Sequence, residues 1–209
     1  MTIVSAPFTP ETFSLTAQTE QELAYEFLSQ SNWSEEAYLT FSEAFNRPIE
    51  LSEGRLLILP MPTLEHQRIA GFIYLAFVRW LAETGKGEAL FASHPIRLWP
   101  GKLREPDVMV WRAEHRDRMK NRASGPPDLA VEIHSPGNKE HDTDVKFTEY
   151  ARAGIAEYWM IDPPARRVSV FLLDGEQYRL LARFGLGDRA RSAILPGFEV
   201  AVADLFSGE

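Results

Sequence analysis

Cysteine is missing from the chain altogether. Disulfides and thiolate metal sites are thereby excluded, as is usual for an intracellular protein. Long apolar runs are missing too: none approaches a membrane span, and Met1 to Ser14 has no basic segment followed by an apolar core. These absences lead to the expectation of a soluble, cytoplasmic protein. Basic residues are outnumbered, 22 Lys and Arg against 30 Asp and Glu, for a net charge of -8. This balance argues against bulk attraction to a polyanion, although local clusters such as 112–122 and Arg166-Arg167 can still meet phosphates; otherwise they are solvated mixed-charge surface. There is no internal repeat, no low-complexity tract and no coiled-coil seam. What remains is 209 residues with 44% hydrophobic positions, enough for one domain with a substantial core.

The patterning falls into recognisable units. Residues 1–33 read as an appendage, with a helix-compatible segment from Glu20 to Leu28. Ser34 followed by Glu35 and Glu36 predicts a helix start, and Pro48 its end. Ile49 to Leu59 predicts a hairpin that turns at Glu53-Gly54. Thr63 can cap a long helix whose stripe of Ile69, Ile73 and Phe77 runs to a stop at Gly85, with His66 pointing inward near its start. Three strands are expected at 89–92, 95–99 and 107–111, with turn residues such as Pro100-Gly101 between them, and then a polar helical or irregular segment to Gly125. Further on, 167–173 and 177–184 predict a hairpin across Asp174-Gly175, followed by a last strand at 191–195 and a short turn at 202–206.

The stretch Pro127 to Pro163 carries the chemical interest. Leu129-Ala130-Val131-Glu132-Ile133 has the length and β-branched content of a buried strand, yet holds a carboxylate that needs a partner. Asp107 opens another apolar strand. If the two strands are neighbours, two carboxylates about 4 Å apart repel by roughly 4 kcal/mol at an effective dielectric of 20. They then share a proton or hold a cation between them, and an all-oxygen set without cysteine favours Mg²⁺ or Mn²⁺. The competing reading for each is a solvated acid or a pair with arginine. On the following helix Asp142, Lys146 and Tyr150 fall on one stripe. Lys146 either forms a surface ion pair with Asp142 or leans over the strand ends to orient a water and offset charge on a phosphate. Tyr150, Tyr158 and Trp159 read as packing, and Gly154 as a helix C-terminus at positive φ.

Taken together, Pro106-Asp107, Val131-Glu132-Ile133 with Ser135-Pro136, and the run from Lys146 through Tyr-Ala-Arg-Ala-Gly-Ile-Ala-Glu-Tyr-Trp to Pro163 resemble the Uma-two family of bacterial proteins described as endonucleases. Glu35 to Leu39, Ile49-Glu50-Leu51 with Gly54, Glu65-His66-Gln67 and Leu195 to Phe198 extend the resemblance over roughly 34–206. It implies the PD-(D/E)XK restriction-endonuclease-like α/β fold over 34–209, a mixed central sheet flanked by helices, and a Mg²⁺-dependent site that hydrolyses DNA phosphodiester bonds. By position, Asp107 and Glu132 would be the acidic metal ligands, with the Ile133 carbonyl completing the shell. The superfamily places a lysine two residues after the glutamate. Here that residue is His134, so the lysine role passes to Lys146, while His134 could be a ligand, a phosphate contact or a packed histidine. His66 could reach the metal or the scissile phosphate or be a core histidine, and Glu50 could join the site or form a strand-edge ion pair. A homodimer is expected by analogy with nucleases that cut both strands. The alternative functions are a non-catalytic nucleic-acid or protein-interaction module that keeps the fold, and a hydrolase of another phosphate ester.

Overall fold

Local signals and tertiary structure agree along most of the chain. The computed structural model describes residues 32–44, 47–134 and 140–207, without the side chains of 140–144. The expected helix at 20–28, the Ser135-Pro136 step and the Asp142 side chain lie outside the described residues.

Helix α1 (Glu35–Ala44) begins where Ser34 Oγ accepts the Ala37 amide at 3.1 Å, with Glu35 and Glu36 near the positive end of the helix dipole. Strands β1 (Ile49–Ser52) and β2 (Arg55–Ile58) turn through Glu53 and Gly54, both at positive φ. Helix α2 (Leu64–Thr84) is capped by Thr63, whose hydroxyl accepts the His66 amide at 3.2 Å, and is closed by Gly85 in the left-handed region. After it come β3 (Gly87–Phe91), β4 (Ile96–Trp99), β5 (Lys102–Arg104), β6 (Val108–Arg112), a 3-10 turn (Ala113–Arg118) and β7 (Leu129–Ile133). Then follow α3 (Glu140–Arg152), β8 (Glu157–Asp162), β9 (Arg167–Asp174), β10 (Gln177–Phe184), β11 (Arg189–Arg191), β12 (Glu199–Ala201) and α4 (Val202–Leu205).

Strands β5, β11 and β12 depart from expectation. Strand β5 is additional: its three residues are all buried and pair with both β1 and β4, immediately after the Pro100-Gly101 turn. The expected strand at 191–195 is displaced to Arg189–Arg191, which pairs with Glu199–Ala201. Ala193 and Ile194 instead direct their amides to a Glu157 carboxylate oxygen, at 2.7 and 3.1 Å.

Six strands form a mixed sheet in the order β10-β9-β8-β7-β6-β3, in which only the β7-β8 pair is parallel. A parallel pair needs a crossover, and α3 supplies it. A second, antiparallel sheet runs β2-β1-β5-β4. Side chains alternate along each strand, so Val108, Val110, Val131 and Ile161 pack with Ile69, Ile73 and Phe77 of α2. Met109, Trp111, Ala130 and Tyr158 face the other way, against Tyr150 and Ala151 of α3 and Ile96 of β4. Burial on both faces explains the near-continuous apolar runs of β6 and β7. The architecture is thus a mixed α/β fold with a central mixed sheet flanked by helices. Among the described residues no helix is long and apolar enough to cross a membrane.

Candidate active site

The β6-β7 register sets the first pair. Val108 lies opposite Val131, which carries Asp107, one residue earlier, across from Glu132 on the α3 face. Asp107 Oδ2 accepts the Ile133 amide at 2.7 Å, so the carboxylate is fixed by the backbone of the neighbouring strand. The first turn of α2 brings His66 Nε2 to 3.2 Å from the same oxygen. Burial alone would lower the His66 pKa, but the hydrogen bond and charge of Asp107 outweigh it and the pKa is raised.

Helix α3 supplies the second layer. Lys146 and Tyr150 sit one turn apart and reach the same carboxylate: Tyr150 donates to Glu132 Oε1 at 2.6 Å, and Lys146 Nζ lies 3.2 and 3.3 Å from the two Glu132 oxygens. Lys146 also meets Glu50 Oε1 at 3.2 Å. It is only 7% exposed, and the alternative pair with Asp142 falls on a side chain outside the described residues. Glu50, from β1, is fully buried and accepts from Arg104 Nη1 at 2.7 Å and from the Glu105 amide at 3.1 Å. Arg104 in turn grips Glu149 of α3 through Nε and Nη2, at 2.7 and 3.0 Å, and Lys102 meets Glu149 at 2.8 Å.

Charges of opposite sign therefore alternate from β5 to the strand ends, and their balance is uneven. Burial would raise the Glu50 carboxyl, but Lys146 and Arg104 hold it below its ordinary range. Glu132 is pushed up to about 7 by burial, with Lys146 opposing and Asp107 reinforcing the rise. Glu105 is pushed up to about 8 by burial and by Glu50, and its Oε2 is buried without a hydrogen-bond partner. Carboxylates are crowded here beyond what the nearby cations neutralise.

A cleft of ≈ 530 Å³ opens onto His66, Glu105, Asp107, Glu132, Ile133 and Lys146. Glu50 and His134 do not line it. The half-buried His134 gives its amide to Ile161 at 2.8 Å. Among the described residues no three His, Asp or Glu side chains form a ready-made metal cage. The donor chemistry of the paired carboxylates with the Ile133 backbone nonetheless suits a hard cation, which commonly takes one or two carboxylates and keeps waters elsewhere.

Residues 36–203 match the Uma2 family, described as "Putative restriction endonuclease". The chain belongs to the Uma2 family. Its fold resembles a crystal structure of a "putative nuclease belonging to DUF820" from Anabaena variabilis, with a TM-score of 0.65 and 18% identity, covering 81% of this chain and 97% of that one. No curated protein shows a detectable match.

Within this Uma2 chain, sequence reasoning overlooks Arg104, Glu105 and Glu149, and assigns Tyr150 to packing alone. The Tyr150 ring does pack edge-on to Tyr158, but its hydroxyl serves Glu132. One signal was present: Glu105 and Asp107 stand two residues apart around Pro106, a spacing that turns both side chains to one side in extended backbone. The Arg104–Glu149 pair joins residues 45 apart and leaves no local trace.

Proposed function

We propose that this Uma2 protein is a metal-dependent endonuclease that hydrolyses DNA phosphodiester bonds, with Asp107 and Glu132 holding Mg²⁺ or Mn²⁺ together with the Ile133 carbonyl. The observation that carries this reading is the cross-strand placement of Asp107 and Glu132 in one cleft, with Lys146 on Glu132. When bound, the ion supplies an activated water and stabilises charge on the phosphate. His66 and the Ile133 amide hold one Asp107 oxygen, and the other would take the ion. Tyr150 holds Glu132 in a fixed rotamer. Lys146 orients the attacking water and offsets charge that develops on the phosphate oxygens. Glu50 has no access to substrate and acts as a positioning residue, seating Lys146 with Arg104 behind it.

The test is nicking of single- and double-stranded DNA by purified protein with Mg²⁺ or Mn²⁺. Cleavage that disappears in Asp107→Ala, together with loss of metal binding by calorimetry, supports the assignment. Absence of cleavage, with metal binding unchanged in Asp107→Ala, rejects it. The non-catalytic reading draws on the double contact of Lys146 with Glu132, which gives that carboxylate a cationic partner without an ion. DNA binding that needs no divalent metal, with no cleavage under any condition, would favour it.

A further inference from the structure

The surroundings of the cleft bear on which form of DNA enters it, a question that rests on the phosphodiesterase reading above. The acidic groups are recessed: Asp107, Glu132 and His66 keep 15%, 16% and 13% of their side-chain surface. Their cleft has the volume of a pocket that encloses a single small-molecule-sized unit.

Charge argues in the same direction. Duplex recognition leans on neutralising many phosphates, commonly about 6–10 in a site. This chain carries a net charge of -8, and outside the acidic floor the cleft lining offers two arginines, Arg47 and Arg122. Arg122 is already engaged by α1: Nε meets Glu43 at 2.7 Å, Nη1 meets Glu36 at 2.8 Å and Nη2 meets Thr40 at 3.3 Å. A duplex would find few cations to replace its counterions.

The lining offers apolar surface instead. Phe91 and Met61 are 54% and 59% exposed although both line the cleft, and large apolar side chains grouped at such an opening mark a contact surface. The Phe91 ring is steadied by Tyr74, with ring centres 4.7 Å apart. Unpaired bases stack on such a ring whatever their identity, and this stacking substitutes for part of the electrostatic attraction. In a duplex the bases already stack on one another and are not available.

We propose that the cleft takes single-stranded DNA, with an unpaired base stacked on Phe91 while the adjoining phosphate reaches the Asp107–Glu132 pair. The experiment is fluorescence anisotropy of the full chain with a labelled single strand of roughly 20 nucleotides and with the matching duplex, both in EDTA and in Ca²⁺. The single strand is expected to bind at least about tenfold more tightly than the duplex. Phe91→Ala should weaken single-strand binding about tenfold and leave the duplex unaffected, and Phe91→Tyr should restore it. Thermal melting of each variant checks that the fold is intact. Equal or tighter duplex binding, no single-strand binding, or an inert Phe91→Ala substitution would overturn the proposal. Binding is read without cleavage, so the two readings fail separately. Single strands bound but never cut would remove the nuclease assignment alone, whereas duplexes cut and single strands ignored would remove this one alone.

Discussion

Glu132 and Glu157 are both glutamates of apolar strands, on neighbours β7 and β8, yet they are handled in opposite ways. Glu157 is fully buried. One of its oxygens accepts from Trp159 Nε1 at 2.6 Å and the other from the Ala193 and Ile194 amides, at 2.7 and 3.1 Å. Burial still raises its pKa, while the hydrogen bonds pull the other way. Its partners are neutral and part of the framework. Glu132 has a cleft on one side, and on the other a long cationic side chain and a phenol. A carboxylate met by neutral donors is anchoring a loop, whereas one left facing a cleft beside a lysine keeps the capacity to bind something else.

This contrast can be broken by experiment. Glu132→Gln should lower DNA cleavage by at least about a hundredfold, since residues that merely support metal ligands already account for roughly 10–100-fold. Glu157→Gln should leave the rate per folded molecule within about twofold. Cleavage surviving in the first variant, or vanishing in a folded second one, would erase the distinction. Stability should sort the other way. Glu157→Ala strands buried amide donors and should cost about 1–3 kcal/mol, seen as a fall in Tm of several degrees. Glu132→Gln should be neutral or stabilising in the same melt, because it removes a charge that its surroundings disfavour.

A pH series sharpens the picture of the crowded end. Glu105, at about 8, lies above its ordinary value of 4.5. A carboxyl raised on folding contributes stability that is complete below pH 4.5 and is lost as pH climbs through 8. In chelator, wild-type Tm should therefore drop between pH 5 and pH 9 more than that of Glu105→Gln, and the variant should be the more stable of the two at pH 9. Identical slopes would show that Glu105 does not carry this charge strain. The smallest expected effect is that of Tyr150→Phe. Its ring contacts persist and one hydrogen bond is lost, so stability should fall by about 1 kcal/mol and cleavage by less than about tenfold.

The parts legible in the sequence share a physical origin, namely local or periodic constraint. Thr63, Gly85 and the Glu53-Gly54 turn act within a few residues of where they stand, and β7 announces itself by its apolar run. Strand β5 escaped because three residues cannot display a period of two, and because Pro100-Gly101 reads as punctuation whichever side pairs. The pairing of Ala193 and Ile194 with Glu157 could not be foreseen, since it joins residues 36 and 37 apart. At the site, Asp107 and Glu132 draw attention by their apolar settings, but what surrounds them comes from other elements. Glu50 illustrates this: as a residue of a short hairpin it looks like an edge ion pair, and only the docking of β5 and α3 makes it the seat of a buried lysine.

That seat has a consequence for how the molecule comes apart. Glu50 belongs to the antiparallel four-stranded sheet and Glu132 to the six-stranded one, and Lys146 is bonded to both. The lysine works as a rivet between the two layers, alongside the packing of Ile96 and the Arg104–Glu149 pair. A partly unfolded species that has shed the hairpin would keep the Asp107–Glu132 pair in register but lose the Glu50 contact that helps hold Lys146. Competence for chemistry would then disappear before the central sheet melts.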